Sequence, residues 1–227
     1  MKELAVVLLS GGMDSAVCAA LAQRDSYEIA ALHLNYGQRT QQKELECFEN
    51  LCKHFGVKHT LVVDVSHLSK IGGSSLTDMN IEVPKAKLDN QEIPPTYVPF
   101  RNANILAIGV SWAEVIKARY IYIGAMEQDS SGYPDCRQSF FDAFNHMIKL
   151  GTKPETQIDI VTPIMNKTKE DIVRIGIELG VPFDYTWSCY KDNNEACGEC
   201  DSCALRLRGF KQMNLSDPII SIMVKTL

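Results

Sequence analysis

The chain has 227 residues, 45% hydrophobic and 22% charged. That length allows one large domain, or one with a small appendage, at roughly 100–200 residues per domain, and the composition excludes disordered, collagen-like and low-complexity architectures. With 23 basic against 28 acidic residues the net charge is −5, so the basic surplus of a protein that grips a nucleic-acid backbone is missing, and no apolar run of about 18 residues marks a membrane span.

Residues 4–9 form an apolar run stopped by Gly11 and Gly12, the pattern of a strand buried on both faces. Residues 14–24 are alanine-rich and predict a helix. A second strand is expected at 29–34. Over 41–55 the apolar residues Leu45, Phe48, Leu51, Cys52 and Phe55 fall at helical spacing. A third strand follows at 60–65. Residues 66–96 break the rhythm with Gly72-Gly73-Ser74-Ser75 and Pro84, Pro94 and Pro95. So long an irregular stretch predicts a lid, or a contact with substrate or another subunit. A helix is expected at 104–118, a fourth strand at 120–123, a helix at 140–150 and a fifth strand at 158–161. The helix at 168–179 has Thr168 as N-cap and is stopped by Gly180 and Pro182. A cysteine-rich segment and a short basic helix at 205–211 come last. The alternation predicts a doubly wound, mostly parallel, five-stranded Rossmann-like α/β sheet.

The junction Leu8-Leu9-Ser10-Gly11-Gly12-Met13-Asp14-Ser15 carries the first chemical signal. It lies at the first strand-to-helix turn, where such folds bind ligands. Two glycines let the backbone approach a phosphate without a Cβ in the way. The helix N-terminus offers free N–H groups and a partial positive charge, and Ser10 and Ser15 add hydroxyl donors. The Gly-Lys-Ser/Thr ending of a γ-phosphate-transferring loop is missing, and so is Gly-x-Gly-x-x-Gly. Asp14 puts an anion beside an anion cradle, which a bridging Mg2+ or contact with donor groups explains. An ordinary glycine turn capped by Asp14 or Ser15 is the plainer alternative. The motif Ser-Gly-Gly-x-Asp-Ser resembles the pyrophosphate loop of enzymes that split ATP into AMP and pyrophosphate, among them GMP synthetase, asparagine synthetase, tRNA lysidine synthetase and tRNA thiolation enzymes.

Other polar residues fall on the same sheet edge. Tyr36, Gln38 and Arg39 end the second strand. Arg101 can bind phosphate or carboxylate, and Asn102 can cap the following helix. In 130–137, Tyr133 can stack on a planar ring, Asp135 can accept from a guanine-like amidine edge, and Arg137 can hold a carboxylate or phosphate. Lys167 can neutralise phosphate charge. Each has an ordinary alternative as a turn, a solvated arginine or a surface lysine. Cys136 fits packing better than nucleophilic catalysis, and the five histidines show no metal spacing.

Of eight cysteines, Cys18, Cys47, Cys52 and Cys136 are scattered, whereas Cys189, Cys197, Cys200 and Cys203 crowd together, the last three as C-x2-C-x2-C. Four thiolates close a tetrahedral zinc shell with no open position, which implies a structural ion pinning the C-terminal segment. An iron–sulfur cluster or a redox pair are the alternatives. A secreted disulfide framework would spread its cysteines differently, and the apolar run at 4–9 is too short for a signal peptide. A cytoplasmic protein with reduced thiols is expected.

Taken together, Ser10-Gly-Gly-Met-Asp-Ser15, Tyr36-Gly-Gln-Arg39, Pro99-Phe-Arg-Asn102, Ser131-Gly-Tyr-Pro-Asp-Cys-Arg137, Thr186-Trp-Ser-Cys-Tyr190 and Cys197-Gly-Glu-Cys-Asp-Ser-Cys203 resemble the 7-cyano-7-deazaguanine synthase family over nearly the whole chain. The resemblance implies a pyrophosphate-loop nucleotide-binding α/β domain over 1–185, with an insertion at 66–96, and a zinc-binding segment over 186–227 packed on it. It implies ATP and Mg2+ beside structural Zn2+. Residues 8–15 would hold ATP and its pyrophosphate, with Asp14, Ser15 and Lys167 in catalysis. Tyr36, Gln38, Arg101, Asn102, Tyr133, Asp135 and Arg137 would surround the substrate. The implied reaction turns 7-carboxy-7-deazaguanine and ammonia into a nitrile through an acyl adenylate and an amide. No glutaminase unit is visible, so free ammonia or a partner supplying it is implied, together with a homodimer and no direct nucleic-acid partner. Phe100 stands where the family pattern often has glycine, which predicts a bulky ring reshaping the pocket wall. The alternatives are a relative that stops at the amide or ligates another amine, a tRNA-modifying pyrophosphate-loop enzyme, and a nucleotide-binding module without turnover.

Overall fold

Strand β1 (Leu4–Leu8) is buried on both faces, and its alternation feeds two cores. Val7, with Leu9 just beyond the strand, enters one core; Val6 and Leu8 enter the other. The computed structural model describes residues 3–88, 92–127 and 132–220. β1 pairs in parallel with β2 (Glu28–Asn35), and β2 with β3 (His59–Asp64). On its other side β1 pairs with β4 (Tyr120–Tyr122), and β4 with β5 (Asp159–Val161). The order β3-β2-β1-β4-β5 is wholly parallel. The strand order reverses between β1 and β4, so a crevice opens beyond their carboxyl ends.

Helices α1 (Met13–Arg24) and α2 (Gln41–His54) cover one face. Helix α3 (His67–Ile71), which the irregular pattern of 66–96 did not announce, lies on the other. So do α4 (Arg101–Ile116) and α5 (Gln138–Gly151). Helices α6 (Lys169–Glu178) and α7 (Asp201–Gln212) return to the first face. α1 needs no apolar stripe, because every residue from Ser15 to Ala22 is buried. Its alanines let it lie close against β1. α6 starts on a capping box in which Thr168 Oγ1 accepts from Asp171 N and the Asp171 carboxylate accepts from Thr168 N.

α4 begins three residues before the expected start. Phe100 forms its N-cap in the left-handed conformation (φ 57°, ψ 25°), where a side chain is strained. Its ring is 61% exposed and meets Phe140 edge-on at 6.2 Å. It therefore points away from the crevice, and the expected reshaping of the pocket wall does not occur. Glycine would adopt this left-handed backbone without strain.

The irregular stretch after α3 is strapped down rather than hanging free. The Arg39 guanidinium donates to the carbonyls of Ser75, Asp78 and Ile81 at 2.6–2.7 Å. Farther along, Ala86 N donates to Glu199 O, and Lys85 pairs with Glu199 at 2.9 Å. No helix among the described residues is long and apolar enough to cross a membrane.

Arg206 of α7 is fully buried, and its hydrogen-bond partners among the described residues lie in the last part of the chain. Its guanidinium donates to Asp217 at 2.8 Å, Thr186 Oγ1 at 2.6 Å, Phe183 O at 2.9 Å and Ser188 Oγ at 3.4 Å. Removing one partner of a buried ion pair leaves the other charge unmet, at a cost of about 3–5 kcal/mol. Asp217→Ala should lower unfolding free energy by about that amount in urea titration; a loss within the range of an exposed pair, about 0–1 kcal/mol, would show that the pair is not isolated from solvent.

Candidate active site

The turn after β1 is cinched by its own serines. Ser15 Oγ donates to Gly12 O at 2.9 Å and accepts from Ser10 N at 3.2 Å, and Ser10 Oγ accepts from Gly12 N at 3.2 Å. Gly12 is the N-cap of α1, and no side chain caps that helix. Its first N–H groups thus face the crevice with no side-chain acceptor, the arrangement that receives anions. The two glycines have separate reasons. At Gly11 φ is +89°, and a Cβ would come within 2.5 Å of the Glu44 carbonyl of α2. Gly12 lines the crevice itself. Gly124, just past β4, abuts the same helix end: its Cβ would lie 2.9 Å from Ser15 N.

The crevice is a cavity of about 260 Å³. Leu8, Ser10, Gly12, Met13, Asp14 and Ser15 line it at the turn, whereas Leu9 and Gly11 stand behind the wall. Lys169, the first residue of α6, reaches in with a side chain only 8% exposed and places Nζ 2.8 and 2.7 Å from the two carboxylate oxygens of Asp14. The sequence pattern points instead to Lys167. Lys167 does not line the cavity, because it precedes the N-cap of α6 while Lys169 starts the helix that faces α1. The signal for Lys169 was present only as a second lysine two residues away.

At the other end, Arg101 donates from Nη1 to the Tyr36 hydroxyl at 3.1 Å, with its guanidinium over the Tyr36 ring at 5.3 Å. Burial pushes the Tyr36 hydroxyl well above its usual range. Tyr133 lines the cavity and donates to Thr96 Oγ1 at 2.9 Å. Asn102 also lines it and donates to Cys136 Sγ at 3.3 Å. Burial pushes the Cys136 thiol up to about 11, so it stays protonated near neutral pH.

Three expected substrate contacts stand elsewhere. Asp135 is buried outside the cavity lining; its carboxylate accepts from Asn102 N at 2.9 Å and so satisfies the first turn of α4. Asn102 is thus inside that helix, not its cap. Arg137 is exposed at the N-cap of α5 and does not reach the cavity. Gln38 lies beneath Tyr36, its Oε1 accepting from Tyr36 N at 2.9 Å. Ser130 and Ser131 lie outside the described residues. Glu44, Trp187, Ser188 and Tyr190 line the cavity as well. Trp187 N donates to Gly11 O at 2.9 Å, which ties the segment before the cysteine cluster to the turn after β1.

The Sγ atoms of Cys189, Cys197, Cys200 and Cys203 all lie within 4.8 Å of one another, with Cys197 and Cys203 at 4.0 Å. Tetrahedral zinc with Zn–S about 2.3 Å needs sulfurs about 3.8 Å apart, so the donor set fits a metal ion. Gly198 has φ +70° in the turn between two of the ligands.

Gly11→Ala should destabilise the protein by about 1–3 kcal/mol, because it adds a left-handed strain to a backbone collision; an unchanged denaturation midpoint would show that α2 retreats freely from the turn.

The family described as "Queuosine biosynthesis protein QueC" matches residues 4–214. A protein from Chlorobaculum tepidum called 7-cyano-7-deazaguanine synthase is 60% identical over 215 residues, 95% of each chain. One of the same name from Chloroherpeton thalassium is 58% identical, again over 95% of each. Among solved structures, a 4-thiouridine synthetase in an RNA complex with bound ATP has a TM-score of 0.51 at 18% identity, covering 79% of this chain and 41% of that one. NMN synthetase from Francisella tularensis has a TM-score of 0.50 at 16% identity, covering 95% and 73%. These two share the fold. The uncapped loop, the four-cysteine cluster and the match over most of the sequence agree, and the chain belongs to the queuosine biosynthesis protein QueC family.

Proposed function

We propose that the protein is a 7-cyano-7-deazaguanine synthase that uses ATP to convert 7-carboxy-7-deazaguanine and ammonia into the nitrile. What supports this most is one cavity that joins an uncapped helix N-terminus and a lysine to an end built from tyrosines and arginine, in a chain 60% identical to a protein of that name. A carboxylate is a poor acyl donor because hydroxide leaves badly. Its oxygen attacks the α-phosphorus of ATP, giving an acyl adenylate and pyrophosphate. Ammonia adds to the acyl carbon, AMP leaves, and the amide forms with loss of a proton. The amide oxygen then attacks a second ATP; loss of AMP and the remaining N–H protons gives the nitrile.

Charge grows on the departing pyrophosphate in both adenylations. The N–H groups at the start of α1 face it and need no reorganisation. Lys169 supplies a cation that Asp14 holds in place. Asp14 would also hold a Mg2+ ion, which when bound neutralises phosphate charge. Arg101 and Tyr36 orient the acid end, and Tyr133 forms part of the wall. The cysteines would hold a structural Zn2+. The division at 185/186, a homodimer, a cytoplasmic location and the lack of a direct nucleic-acid partner belong to the same reading.

Incubation with ATP, Mg2+, ammonium and 7-carboxy-7-deazaguanine should yield the nitrile, AMP and pyrophosphate by mass spectrometry. An accumulating amide would assign the protein to amide formation, and intact ATP would refute the reading. In the same assay Lys169→Ala should slow pyrophosphate release by about 10²–10³-fold, whereas Lys167→Ala should leave it largely unchanged. Cys200→Ser should lower bound zinc and thermal midpoint together; full metal content would remove Cys200 from the ligand set.

A further inference from the structure

Two carboxylates line the cavity among the described residues, Asp14 and Glu44. Asp14 is engaged by Lys169 at the phosphate end. Glu44 has no part in the chemistry above. It stands in the first turn of α2, where the helix N-terminus favours an anion. Its Oε1 accepts from Thr40 Oγ1 at 2.6 Å, and its Oε2 accepts from Gln38 Nε2 at 3.1 Å. Gln38 is fixed in turn by Tyr36 N. Burial raises the Glu44 carboxyl above its usual range, while Thr40, Gln38 and the Arg101 charge oppose that rise.

A carboxylate offers about four acceptor positions over its two oxygens. One internal donor on each oxygen leaves one position on each facing outward. A pair of parallel N–H donors is the partner that such a group takes. Asp135, the other acid near this end, has its carboxylate turned to the backbone of α4.

We propose that Glu44 is the residue that selects the substrate ring, accepting from a ring N–H and the adjacent exocyclic amino group of a 2-aminopyrimidin-4-one edge. The proposal deepens the function proposed above and rests on it. Thr40 and Gln38 are positioning residues that act through Glu44. A ring lacking the exocyclic amine leaves one acceptor position of Glu44 unmet, which is how a polar pocket rejects such analogues.

The test compares wild type with Glu44→Gln, using 7-carboxy-7-deazaguanine and its analogue without the exocyclic amine. Glu44→Gln should raise KM for the acid by about 10–100-fold, the scale of a hydrogen bond to a charged group. KM for ATP should stay unchanged. Wild type should prefer the natural ring, and Glu44→Gln should lose most of that preference. An unchanged KM for the acid in a folded variant overturns the proposal. So does a defect confined to the magnesium or ammonium requirement, which would place Glu44 on that ion instead. Should the variant fail to fold, wild type decides: equal kcat/KM for the two rings overturns the proposal, and a strong preference supports it. Wild type that turns over neither ring overturns the proposed function and this inference together, whereas turnover with an unaltered Glu44→Gln overturns this inference alone.

Discussion

A fully buried guanidinium must find partners for its charge and its donors, and Arg206 makes four hydrogen bonds to groups that would otherwise go separate ways. Phe183, Thr186 and Ser188 converge on it from one side and Asp217 from the other. The segment so gathered contains Trp187, whose N–H holds the Gly11 carbonyl, and Cys189, the first of the clustered thiols. One charge therefore aligns the turn after β1, the wall of the cavity and the cysteine cluster. The same helix that carries Arg206 presses Gly209 against the carbonyl of Lys169, where a Cβ would come within 2.6 Å. That contact sets the start of α6, and with it the lysine that reaches Asp14.

The cysteine cluster acts at a distance through this arrangement. Cys203 lies inside α7 and Cys200 caps it, so an ion held by the four sulfurs would fix the helix N-terminus directly. The strap after α3 is joined to the same knuckle through Glu199 and Asp201. Ser202 and Leu205, on the first turns of α7, line the cavity beside Trp187 and Tyr190. A metal ion held by these four thiolates would therefore bear on the cavity indirectly, through the segments that carry Trp187, Tyr190, Ser202 and Leu205.

Much of this was legible in local pattern. Apolar runs ending in glycine located β1 and the turn after it, because a strand buried on both faces has no polar alternation to blur it. The Thr168 N-cap and the Gly180 stop located α6. What local pattern did not show were choices made by tertiary contacts. Asp135 and Glu44 are both acids near the sheet edge, and only packing decides that one serves a helix terminus while the other faces the cavity. Lys167 and Lys169 flank the Thr168 cap, and only the second, as the first residue of α6, reaches the cavity. The early start of α4 depends on Phe100 accepting a left-handed backbone, which no residue-level preference would favour.

The protein is acidic overall, yet the proposed chemistry handles anions, so its cations must be few and held in advance. Lys169 is held by Asp14, and Arg101 by the Tyr36 hydroxyl and ring. Prearranged charge of this kind is what a dry site needs, because nothing has to reorient as pyrophosphate departs. The proposed sequence adds a second demand. The carboxylate charge of the substrate disappears when the amide forms, so in that reading Arg101 would hold the acid more strongly than the amide. If the amide is to remain for the second adenylation, its affinity must come from the ring, which is unchanged between the two steps. The Tyr133 wall and a fixed acceptor such as Glu44 would act on the ring alone and keep the reacting oxygen at one point through both adenylations.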